Sequence, residues 1–175
     1  MSRTLMYGAT AALLASALCA QATLVKNIAT GFGVSSEPHS FTNVGTLTYF
    51  VATDDTFGEE LFVTDGTATG TRMVADINPG FFGSSPGGLT PSGGRLFFVA
   101  RSGKYRSHLW VTDGSVAGTR RVMNTEPTFG AASGQMVAFA GGVIFGQQSP
   151  GLGIELWRSN GTPRGTRRIR DIALG

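Results

Sequence analysis

Cysteine occurs once in this 175-residue chain, as Cys19, and histidine twice, as His39 and His108. Cys19 lies in an N-terminal stretch that reads as a removable leader. The remaining chain therefore has no means of forming disulfides, running thiol chemistry or building a Cys-based zinc site. Charged residues make up only 14% of the chain. No Gly-x-Ser-x-Gly, His-Glu-x-x-His or phosphate-cradling Gly-Lys-Ser/Thr pattern is present, and the two histidines sit at unlike places in the repeats described below. Only a Ser-His-Asp set assembled by the fold would leave a catalytic role, as an extracellular hydrolase. No stretch after the leader is long and apolar enough to span a bilayer as a helix.

The leader has three parts. Met1-Ser2-Arg3-Thr4 is a short basic start, Leu5 to Leu18 is apolar or small apart from a few hydroxyls, and Ala20-Gln21-Ala22 forms an A-x-A cleavage site. Residues 1–22 are thus expected to be a signal peptide, with the mature chain beginning at Thr23. The apolar run is short for a membrane anchor, and Leu18 before Cys19 departs from a lipoprotein signal. The expected location is secreted, periplasmic or at the cell surface, without a transmembrane anchor in the mature chain. Without Arg3, 13 basic residues face 11 acidic ones, a net charge of +2 that does not suit a nucleic-acid binder. The charge is divided unevenly, at −5 over residues 23–90 and +7 over residues 91–175. Arg164, Arg167, Arg168 and Arg170 form the densest basic cluster. Such residues discourage pairing at strand edges, and they also suit a head-to-tail contact or an acidic polymer.

Glycine is abundant, at 26 residues, and is placed regularly rather than in tracts. The stretch Glu60-Leu61-Phe62-Val63-Thr64-Asp65-Gly66-Thr67, with Gly70-Thr71-Arg72 after it, returns from His108 and again from Glu155. The turn glycines Gly66, Gly114 and Gly161 are 48 and 47 residues apart. Phe50 to Phe62, Phe98 to Trp110 and Phe145 to Trp157 are each separated by 12. Three units follow, at about 24–77, 78–125 and 126–175, and each reads as four strands. The expected fourth strands are Thr71 to Ile77, Thr119 to Met123 and Thr166 to Ile172. Runs such as Leu96-Phe97-Phe98-Val99 are apolar on both faces, as in sheets covered on both sides.

Glu-Leu-Trp-x-x-Asp-Gly-Thr-x-x-Gly-Thr, followed by Val-x-Asp-Ile-x-Pro-Gly, resembles the bacterial ELWxxDGT repeat family over nearly all of residues 24–175. The resemblance implies a propeller-like exported repeat protein and brings no agreed activity or ligand. The expected fold is all-β, with three four-stranded repeats of about 48 residues forming a partial β-propeller. Three blades do not close a ring, since propellers use roughly four to eight. The chain is therefore expected to belong to a longer propeller or to associate through open blade edges. A β-trefoil, which suits sugar binding, is the alternative. The expected role is binding, scaffolding or adhesion outside the cell, toward a protein or an extracellular polysaccharide.

The candidate site residues are those of the motif: Asp65, Gly66, Thr67 and Gly70; Asp113, Gly114 and Gly118; and Asn160, Gly161, Thr162 and Gly165. Acidic side chains repeated at turns can ligate calcium. The third copy carries Asn160, however, and a position that accepts either Asp or Asn is expected to serve turn geometry, so no cofactor is assigned. Asp54, Asp55, Glu59 and Glu60 form the other acidic cluster, without EF-hand spacing. Phe62, Trp110 and Trp157 could stack on a sugar, but their fixed distance from Phe50, Phe98 and Phe145 makes them cross-strand core partners. Arg72, Arg120 and Arg167 recur just after Gly-Thr, and position alone leaves their acceptors open.

Overall fold

The computed structural model describes residues 23–31, 34–103, 107–122, 136–149 and 153–170. The proposed leader, the second unit's Thr125-Glu126-Pro127-Thr128 and Asp171 lie outside these residues. Among the described residues the chain is all-β, with three four-stranded antiparallel sheets and no strand shared between them.

Each unit is an up-and-down meander. The first runs β1 (His39–Val44), β2 (Leu47–Asp54), β3 (Gly58–Thr64) and β4 (Arg72–Met73). The second runs β5 (Gly87–Ser92), β6 (Arg95–Arg101), β7 (Ser107–Thr112) and β8 (Arg120–Arg121). The third runs β9 (Met136–Phe139), β10 (Gly142–Ser149), β11 (Gly153–Ser159) and β12 (Arg167–Arg170). A two-residue turn joins the first pair of strands in each unit. In the second it is Gly93-Gly94, with φ of 58° and 71°, the positive values a tight hairpin needs.

The repeat extends to backbone details that composition does not announce. The ladder slips between His39 and Thr42 in the first unit and between Gly87 and Thr90 in the second. Inside those slips Ser40 and Gly88 adopt φ of 57° and 61°. Such bulges bend a strand and increase its twist. Ahead of them, the Ser36 carbonyl accepts Thr53 N–H and the Ser84 carbonyl accepts Arg101 N–H, both at 2.8 Å.

The fourth strand of the first unit corrects the expectation of a long one. β4 holds two residues against the expected Thr71 to Ile77. β8 holds two of the expected Thr119 to Met123, of which Met123 lies outside the described residues. β12 covers Arg167–Arg170 of the expected Thr166 to Ile172, whose last two residues also lie outside them. Val74 N–H still bonds the Leu61 carbonyl and Val122 N–H the Leu109 carbonyl, each at 2.8 Å. In the first unit the chain then leaves the ladder, and Val74 and Ile77 turn into the core between units.

That core lies between the sheets. Tyr49, Leu61, Val63, Val74 and Ile77 of the first unit meet Leu96, Phe98 and Ala100 of the second. Phe97, Leu109, Val111 and Val122 of the second meet Val143 and Phe145 of the third. A middle sheet thus buries both faces, which explains its unalternating apolar strands. Each fully buried Leu of this core contributes about 1.5–3 kcal/mol of transfer free energy. The first strands also lie side by side, β1 against β5 and β5 against β9.

Candidate functional site

The motif turn is a closed set of hydrogen bonds. Asp65 Oδ1 accepts the Thr67 N–H at 2.9 Å and its hydroxyl at 2.7 Å. Thr67 Oγ1 in turn accepts Gly70 N–H at 2.9 Å. Thr71 returns its N–H and hydroxyl to the Thr67 carbonyl at 3.0 and 2.6 Å. Thr64 Oγ1 accepts Gly66 N–H at 2.9 Å and lies 2.7 Å from the Thr71 hydroxyl. Gly66 holds φ of 91°, with Gly114 at 92° and Gly161 at 84°. Gly70, Gly118 and Gly165 are glycine for a different reason, because a Cβ there would overlap the side chain of Asp65, Asp113 or Asn160.

The second turn repeats this with Ser115 in place of Thr67, its N–H and hydroxyl reaching Asp113 Oδ1 at 2.9 and 2.7 Å. In the third, Asn160 Oδ1 accepts the Thr162 N–H and hydroxyl at 3.0 and 2.7 Å. An amide oxygen does what the carboxylate oxygen does, so the geometry requires an acceptor rather than a charge. Where the carboxylates are present, the hydroxyls of Thr67 and Ser115 hold Asp65 and Asp113 below the usual range.

The turns also sit on the neighbouring unit. Gly114 rests over Leu47 and Tyr49 of β2, and Gly161 over Arg95 and Phe97 of β6. Arg72 Nη2 donates to the Gly114 carbonyl at 2.6 Å, and Arg120 Nη2 to the Gly161 carbonyl at 3.2 Å. The recurring arginine is therefore a clamp from one unit's fourth strand onto the next unit's turn. Burial, followed by the Asp113 carboxylate, pushes the Tyr49 phenol up, while Arg72 pulls it down. Arg95 adds bonds to the carbonyls of Gly141 and Asn160 at 3.2 and 3.1 Å.

The remaining candidates are dispersed. Phe62, Trp110 and Trp157 stand directly opposite Phe50, Phe98 and Phe145. The rings stack at 5.7 Å for Phe50–Phe62 and 6.5 Å for Phe98–Trp110. Asp54 caps its own hairpin through Thr56 and Phe57 N–H. Asp55 Oδ2 accepts Thr30 N–H and Gly31 N–H, each at 2.6 Å. Glu59 Oε1 lies 3.2 Å from His39 Nε2 on the surface, whereas His108 is buried in β7 of another sheet.

Glu60 is the carboxyl with unusual chemistry. It is fully buried, and that burial pushes it up from 4.5 to about 7, against the pull of the Ser84 hydroxyl and Asn78 N–H. Ser84 Oγ donates to Glu60 Oε2 at 2.5 Å, and Asn78 N–H reaches Oε1 at 3.4 Å. Both partners lie in the link between the first and second units. Sequence reading placed Glu60 in an acidic cluster and missed this role, because Ser84 lies 24 residues ahead with no pattern marking it. Among the described residues no group of three or more His, Cys, Asp or Glu is placed to hold a metal. No protein-family model, curated protein or solved structure matches this chain.

Proposed function

We propose that this chain is an exported repeat protein of propeller type that works by binding or scaffolding outside the cell, with no catalytic step of its own. The observation that carries the reading is the use made of the motif. Asp65, Asp113 and Asn160 hold turns, and Arg72 and Arg120 hold the next unit. The buried Glu60 holds the link to the second unit. Side chains that resemble site chemistry are engaged in holding turns and joining units, which suits a rigid surface rather than a reacting centre.

The propeller reading is favoured by sheets that pack face to face with their first strands adjacent. A trefoil closes a barrel by pairing strands between units, and each sheet here is made within one unit. The leader at residues 1–22 supports export, and N-terminal sequencing of the secreted protein should begin at Thr23. The partner class is a protein or an extracellular polysaccharide.

The test is a binding panel of bacterial surface polysaccharides and envelope proteins, with product release followed on the same polymers. Saturable binding without release is expected. Release of fragments from any polymer would contradict the reading and favour an extracellular hydrolase.

A further inference from the structure

Two joints inside the chain show what the forward face of a unit holds. In each, a Gly of the next unit's turn lies buried over β2 or β6 and takes an arginine on its carbonyl. On the third unit no described turn glycine rests on the matching parts. Phe139, Ile144, Arg158, Arg167, Arg168 and Ile169 line an open hollow of about 440 Å³. Ile169 is 46% exposed, whereas Val74 and Val122 at the matching places are 0% exposed. Arg167 follows Gly165-Thr166 as Arg72 follows Gly70-Thr71, and it has no acceptor among the described residues.

The complementary parts stand at the other end. Gly66 is exposed where Gly114 and Gly161 are buried, and its carbonyl accepts nothing among the described residues. Beside it an apolar hollow of about 310 Å³ has Phe41 and Phe50 of the first sheet on one side and Leu24, Val25, Lys26 and Ile28, the segment that an incoming copy would displace, on the other. The charge of the chain runs from −5 over residues 23–90 to +7 over residues 91–175. At the contact itself the exposed Asp65 of the offered turn is the anion for the cations Arg158 and Arg167 of the hollow. Arg158 adds a cation where the two internal joints have Val63 and Val111.

We propose that the forward face of the third unit takes the Asp65-Gly66-Thr67 turn of a second copy, with Arg167 donating to that copy's Gly66 carbonyl, so that copies associate head to tail. The contact is heterologous, and it closes a ring or propagates according to its rotation. It continues the pattern of the two internal joints and does not depend on which external ligand the protein binds.

The segment Leu24 to Ile28 guards the receiving face. Ile28 packs on Phe50, Ala52 and Phe62 much as Ile77 packs at the first joint, so it stands on the face that an incoming copy would cover. The Asp55 bonds to Thr30 and Gly31 tether it, and it must shift for the joint to form.

The test is the mass of residues 23–175 against concentration by light scattering, for the parent, Arg167→Ala and Asp55→Ala. The parent should associate, Arg167→Ala should weaken association about tenfold, the effect of losing one charge-assisted hydrogen bond, and Asp55→Ala should strengthen it. Circular dichroism checks that each variant is folded. A second measurement uses the absence of cysteine after Cys19. Ala68→Cys and Phe139→Cys copies, which keep Thr67 and Arg167, should give a bis-maleimide-linked heterodimer when mixed. Monomers at every concentration, association indifferent to Arg167→Ala, or no mixed product would each overturn the proposal.

Discussion

At the scale of the residue, two glycines of each turn answer to different constraints. Gly114 is set by its φ of 92°, which suits glycine. Gly118 is set by contact, since a methyl group there would overlap the carboxylate of Asp113. Gly118→Ala should therefore destabilise the fold by about 1–3 kcal/mol in chemical denaturation. A loss no larger than that of an exposed loop substitution would contradict the contact. Glu60 gives a pH dependence whose sign follows from its raised value. A carboxyl that holds its proton more tightly folded than unfolded favours the fold when protonated. That contribution is complete below 4.5 and is lost as the pH rises through about 7. Asp65 and Asp113 act oppositely, contributing above 3.8 and losing it as the pH falls through their lowered values. Glu60→Gln keeps the acceptor for Ser84, so its denaturation midpoint should be flatter between pH 5 and 8 than the parent's. Parallel curves would sink the assignment.

At the scale of the element, stability is concentrated where sheets meet. Leu109 is fully buried between the second and third units, and Leu109→Ala should cost about 2–5 kcal/mol. Val137→Ala on β9, at 64% exposure, should stay within about 0.5 kcal/mol. Equal effects would mean that the interface does not carry the fold. These strands were largely legible in the sequence, because Gly-marked turns and the 12-residue spacing of the aromatics fix the hairpin register. The pairs Phe50↔Phe62 and Phe98↔Trp110 follow directly. The short fourth strand of the first unit was not legible, because after Val74 the chain leaves the ladder and carries Ile77 into a core with a neighbouring unit that no local pattern describes. The same reason hid the arginine clamp. Arg72 and Gly114 are 42 residues apart, and recurrence marks both without saying that they meet. Positive φ at Glu37 and Ser85 had no signal either, since neither residue type demands it.

At the scale of the whole molecule, each sheet leans on the next through one apolar face and one clamped turn, so stability behaves as a sum over units and their joints. Among the described residues the middle unit is packed by a neighbouring unit on both faces, and Ile28 covers the outer face of the first. The charge division of −5 and +7 follows the same polarity along the chain. The central claim is that the repeated Asp serves the turn and not a cation, and Asn160 already supplies the control within the molecule. The most direct measurement is thermal unfolding of the Asp65→Asn, Asp113→Asn double variant beside the parent, with and without calcium. If the carboxylates serve the turns, both proteins should melt within roughly 3 °C of each other, and neither should respond to calcium. A calcium-dependent rise in the parent that disappears in the double variant would contradict the claim and make the turns a metal site.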